Sequence, residues 1–150
     1  LIKPDIQANF WNGDPDIDAV CRMIFKPECN FKKNIFPFFS KKISPFNSQN
    51  TLIGRKVIKD YFLFPHIGRM DDIWASFYVT SKKYRVIYNE PTVYQQRNVH
   101  NLIKDFKDEY IGYVNSLNLV ESLYKNSENI TKFLPKKSSL AFDEWKKLIK

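Results

Sequence analysis

The chain has 150 residues, 43% of them hydrophobic and 24 of them aromatic. That is enough to bury one core and too little for two, so a single domain is expected and disorder over most of the chain is excluded. The net charge of +8 rests on 19 Lys against 5 Arg, with Lys scattered in pairs such as Lys41-Lys42 and Lys136-Lys137; this is a solvated surface, without the arginine forks or basic stripe that sequence-specific nucleic-acid recognition uses.

The same charge would favour an anionic ligand, a nucleotide diphosphate or a phospholipid surface among them. Cys21 and Cys29 have no second pair to complete a zinc site and fix no compartment. No stretch approaches the roughly 20 apolar residues of a membrane span, so no transmembrane segment is expected, and the start has no signal-peptide pattern. A chain opening on Leu1 is expected to be a piece of something longer, with an N-terminal half preceding it.

In chain order, residues 1–13 read as extended and end at the turn signal Asn12-Gly13. Asp14-Pro15 opens a helix with Ile17, Val20, Cys21 and Ile24 at helical spacing. Pro27, Pro37 and Pro45 exclude a long helix over 25–46 and leave short strands or ordered loop. Thr51–Ile53 reads as a strand and Lys56–Phe62 as a helix stopped by Pro65. Asp71 is placed to cap a helix carrying Ile73, Trp74, Phe77 and Tyr78 on one side.

Tyr84–Tyr88 has strand composition, with Asn89–Pro91 as its stop. Asn98 is placed to cap a long amphipathic helix whose apolar face is Val99, Leu102, Ile103, Phe106, Tyr110 and Tyr113. From Gly112 the chain reads as helical to its end with a break near Pro135. Short strands alternating with helices give a mixed α/β domain, divided as a core over about 1–115 and a helical extension over about 116–150.

Four segments carry residue types suited to chemistry. Asn12-Gly13-Asp14-Pro15-Asp16-Ile17-Asp18 sets three carboxylates on alternate residues, which could hold a divalent cation, bind sugar hydroxyls, or simply place negative charge at a helix N-terminus. A calcium hand is rejected, because Ala19 and Phe25 stand where its Gly and Glu are needed. Asn47-Ser48-Gln49-Asn50-Thr51 offers amide and hydroxyl donors and acceptors in a short run, suited to a polyhydroxylated ligand or to an ordinary turn.

Asp71-Asp72 ahead of Trp74 offers one carboxylate for capping and one for general-base work, or a capped helix with Trp74 in the core. His100 stands near a helix start, where the dipole favours a neutral imidazole able to bind a metal; a lone His is also often structural.

Together, Asn12-Gly13-Asp14-Pro15-Asp16-Ile17-Asp18-Ala19, Pro45-Phe46-Asn47-Ser48-Gln49-Asn50-Thr51 and Arg69-Met70-Asp71-Asp72-Ile73-Trp74 resemble the second half of a GT-A type glycosyltransferase, with the STELLO-type family of glycosyltransferases the nearest match. The resemblance covers about residues 10–110. It implies a GT-A-like mixed sheet flanked by helices, and transfer of a sugar from a nucleotide-sugar donor to an acceptor hydroxyl of a glycan or other molecule.

By that resemblance Asp72, or Asp71 as second choice, is the base; Asn12, Asp14, Asp16, Asp18, Asn47, Ser48, Gln49, Asn50, Thr51 and Trp74 contact substrate; and His100 holds a divalent cation, Mn2+ or Mg2+. The run Asn47–Thr51 lacks the usual Gly pair, and no upstream nucleotide-binding strand with its own Asp-x-Asp is present. The alternative expectation is a non-catalytic carbohydrate-binding or scaffold module. The placement that decides the reading is a pocket shared by the turn around Gln49 and the acids heading the Trp74 helix, with His100 in reach.

Overall fold

The structure, a computed structural model, describes residues 3–149. It is a mixed α/β fold in which four strands form one sheet: β1 (Ile6–Gly13), β2 (Phe38–Phe39), β3 (Thr51–Ile53) and β4 (Val86–Gln95). Their order is β2-β4-β1-β3, with β1 and β4 parallel at the centre and the two short strands antiparallel at the edges. The helices are α1 (Ala19–Ile24), α2 (Asp71–Ser81), α3 (Leu102–Lys125) and α4 (Lys136–Leu148). No helix of the described residues is long and apolar enough to cross a membrane.

Several boundaries differ from the sequence reading, each for a physical reason. α1 starts at Ala19, not Asp14, because the Asp18 carboxylate accepts from the Cys21 amide at 2.9 Å and caps the helix there. The segment expected as a helix over Lys56–Phe62 is a 3-10 turn, Arg55–Val57, followed by a turn to Asp60.

β4 does not stop at Asn89–Pro91. Asn9 pairs with Asn89 and Trp11 with Val93, so the proline sits in a register shift where a missing N–H costs no ladder bond. α3 is capped by Asn101, whose Oδ1 accepts from the Lys104 amide, and not by Asn98.

The rotation of α3 also departs from expectation. Its buried positions are Glu109, Gly112, Leu119 and Leu123, while Ile103, Tyr110 and Tyr113 lie exposed. The cause is the 3-10 turn Gly68–Met70, which packs against the helix: a Cβ on Gly112 would stand 2.5 Å from Met70 Sδ. A Cβ on Gly68, at φ 61°, would stand 2.0 Å from the Asp108 carbonyl oxygen. Only glycine permits that approach, and it turns Glu109 inward.

One core unites both ends of the chain. Ile6, Ala8, Val86 and Tyr88 from the sheet meet Trp74, Tyr78 and Val79 of α2, and Leu119, Leu123, Ile130 and Phe142 complete it. Residues beyond 116 are therefore part of the core, not an extension from it. Phe142 contacts Phe64 at 5.1 Å and Tyr78 at 5.3 Å between ring centroids, both edge to face.

Candidate functional site

Parallel central strands end side by side, and the loops that follow them meet beyond their carboxyl ends, the usual binding edge of an open α/β sheet. Gly13 and Gln95 are partners at the last rung. After β1 comes Asp14–Asp18, and after β4 comes Gln96–Asn101. Because β3 runs antiparallel to β1, its leading turn Asn47–Asn50 reaches the same edge. The N-termini of α2 and α3 close the group.

A cleft of about 360 Å3 opens there, with Asp16, Asp18, Asn47, Arg69, Asp72, Glu109 and Tyr113 among its lining. Asp72 Oδ2 accepts from the Ser48 amide at 2.9 Å and the Ser48 hydroxyl at 3.2 Å. Its Oδ1 has no hydrogen bond among the described residues. Burial, with the charges of Asp71 and Asp16 adding to it, raises the Asp72 pKa above its ordinary value, against the lowering effect of the Ser48 bonds.

Asp16 is the junction of the site. Its Oδ2 accepts from Gln49 Nε2 at 2.8 Å, and its Oδ1 pairs with Arg97 and, at 3.3 Å, with Arg69. Arg69 also donates to Glu109 Oε1 at 2.9 Å and lies 3.7 Å from Asp105. Burial opposes its charge, but Asp16, Glu109 and Asp105 together raise its pKa, so it stays cationic. The second Glu109 oxygen accepts from the Ala19 amide at 2.8 Å and from the Tyr113 hydroxyl at 3.0 Å. Burial, then the bonds to Asp18 and Glu109, raise the Tyr113 pKa and keep it a phenol.

The expected residues divide into those brought to the cleft and those used elsewhere. Asp16, Asp18, Asn47 and Asp72 line it. Ser48 and Gln49 border it through their bonds to Asp72 and Asp16. Asp71 is the first residue of α2 and not its cap: Met70 holds the cap position without a side-chain bond, and the Asp71 carboxylate accepts from the Asp72 amide. Asn50 ties the turn to Phe10 and Thr92, and Thr51 closes the turn on Asn47. Asn12 holds the Phe31 amide, and Asp14 pairs with Arg22 outside the cleft.

Trp74 is a correction. It is fully buried, with Nε1 donating to Ser116 at 3.0 Å, and has no face to give a substrate. His100 as placed does not fit the expected metal role either. Its Nδ1 lies 2.9 Å from Asp105, and its Nε2 lies 3.2 Å from the Arg97 guanidinium, whose positive charge repels a cation. Among the described residues no group of three His, Cys, Asp or Glu is arranged to hold a metal ion.

Sequence reasoning missed Arg69, Arg97, Asp105, Glu109 and Tyr113. Arg69 lies inside a segment singled out for its acids and Arg97 lies three residues before His100, and a cluster of carboxylates is itself a signal that cations stand near. Glu109 and Tyr113 are one helical turn apart, a pair that shares a face. With four carboxylates against Arg69, the cleft is acidic and rich in fixed acceptors. Such a lining suits a neutral ligand with several hydroxyls better than a bare anion. In comparisons with known proteins, no family model matches the chain and no curated protein matches it.

Proposed function

We propose that this chain carries the acceptor side of a GT-A type glycosyltransferase, which moves a sugar from a nucleotide-sugar to an acceptor hydroxyl. One observation carries the reading: Asp72 has one oxygen anchored by Ser48 and the other unengaged, in a cleft lined by further carboxylates where burial raises its pKa. A carboxylate of raised basicity is the better proton acceptor near neutral pH.

In the proposed step the acceptor hydroxyl binds among Asn47, Asp16 and Tyr113. Its oxygen forms a bond to the anomeric carbon as the bond from that carbon to the nucleotide diphosphate breaks. The hydroxyl proton passes to Asp72 Oδ1, and the electron pair leaves with the diphosphate. Charge neutralisation of that leaving group is the role this reading leaves to a divalent cation, Mn2+ or Mg2+; no residue here is assigned to hold it.

The test is transfer from a panel of uridine and guanosine diphosphate sugars by the wild type and by Asp72→Asn. The substitution keeps an acceptor for Ser48 and removes the base. Turnover should fall by roughly 10²- to 10⁴-fold with sugar binding retained. Equal turnover by the two proteins removes Asp72 as the base, and a wild type that binds no nucleotide-sugar removes the reading.

A further inference from the structure

The rotation that buries Glu109 and Gly112 leaves a second face of α3 outside. Counting from Ile103 in alternating steps of four and three gives Lys107, Tyr110, Val114, Leu117, Glu121 and Tyr124, the spacing of a helix-helix seam. Every one of these positions is exposed, Leu117 at 81%, Ile103 at 61% and Val114 at 53%. The stripe lies across the helix from Gly112, Leu119 and Leu123; only Tyr124 at its end turns back to the body, its hydroxyl accepting from the Ile43 amide at 3.2 Å. Tyr110, Val114 and Leu117 form an apolar centre in water, flanked by Lys107 and Glu121, with Ile103 and Tyr124 at the two ends.

The order of residues along the stripe specifies what covers it. A two-fold axis requires each residue to find its partner on the same surface. An axis near Val114 sets Lys107 opposite Glu121 of the other copy and Glu121 opposite Lys107, with Tyr110 and Leu117, and Ile103 and Tyr124, facing each other to within one residue. Neither Lys107 nor Glu121 has an ion-pair partner among the described residues of its own chain. A parallel, in-register pairing would instead set Lys107 on Lys107 and Glu121 on Glu121.

We propose that α3 pairs antiparallel with α3 of a second copy, making a two-fold homodimer through the Ile103–Tyr124 stripe. The seam is about 32 Å long at 1.5 Å per residue. That places it at or below the standard interface of about 800 Å2 per partner and predicts a dissociation constant in the range of roughly 1 to 100 μM.

Sedimentation equilibrium of the 150-residue chain from about 1 to about 300 μM tests this. Wild type should pass from monomer to dimer, and Leu117→Glu should remain monomeric. Lys107→Glu and Glu121→Lys should each weaken the dimer about tenfold by setting like charges together, and the double variant should recover most of that loss. All three sites are exposed in the monomer, and circular dichroism would verify that each variant is folded. Wild type that stays monomeric at the highest concentration overturns the proposal and leaves the stripe to a different protein. A double variant no tighter than the single ones overturns the antiparallel pairing.

Discussion

Glu109 joins three elements, and removing it tests how the site is held. The residue is 6% exposed, and its carboxylate takes the Ala19 amide, the Tyr113 hydroxyl and Arg69 at once. Glu109→Ala leaves the buried Ala19 amide without an acceptor, a cost of about 1–3 kcal/mol. Breaking a buried ion pair adds up to about 3–5 kcal/mol when the abandoned charge has no other partner. Here Arg69 keeps Asp16 and Asp105 and is 31% exposed, so most of that penalty is avoided.

Tyr113 likewise keeps Asp18. The sum is about 3 kcal/mol, and at 2–4 °C per kcal/mol for a chain of this size the midpoint should fall by roughly 10 °C. Thermal unfolding followed by circular dichroism at pH 7 measures it. Glu109→Gln, which retains one acceptor oxygen, should lose about half as much. A drop of less than about 3 °C for the Ala variant, or a Gln variant no better than it, would refute the assignment of Glu109 as the tie between α1, the Gly68–Met70 turn and α3.

Two further outcomes follow from the same geometry. Gly68→Ala drives a methyl into the Asp108 carbonyl at a positive φ and should cost at least about 3 kcal/mol; denaturant unfolding checks it, and a loss below about 1 kcal/mol would mean that the turn does not sit against α3 as described. For Asp72, the raised pKa means that the protonated form is the one the fold favours. Its stabilisation is full below the ordinary value of 3.8 and is lost as pH rises through the higher folded-state value. Asp72→Asn should therefore gain in melting temperature relative to wild type between pH 3.5 and pH 7, and a constant or falling difference contradicts the sign.

Local chemistry made much of the fold legible. Asn12-Gly13 marked the end of β1, Thr51–Ile53 the edge strand, Asp71 the start of α2 and Pro135 the break before α4, because each signal acts within a few residues of itself. The meeting of Ser48 with Asp72 and of Gln49 with Asp16 was legible only as an expectation; it comes from strand order, with β3 antiparallel beside β1. The errors share a cause. Pro91 continues a strand because the register shifts opposite it, and Trp74 is core because Ser116 reaches its indole nitrogen. The apolar side of α3 around Tyr110 lies outside because Gly68 and Gly112 fix the rotation of the helix. None of these contacts is visible within a window of one element.

Phe142 lies fully enclosed against Phe64 and Tyr78, at the far end of the sequence from β1. During synthesis the sheet and α2 have no ring to fill that space until residue 142 has left the ribosome. The apolar interior they have already gathered stays wet and open to other chains until then. Closure of this interior therefore depends on α4, and a chain ending before it should leave Phe64 and Tyr78 open to solvent.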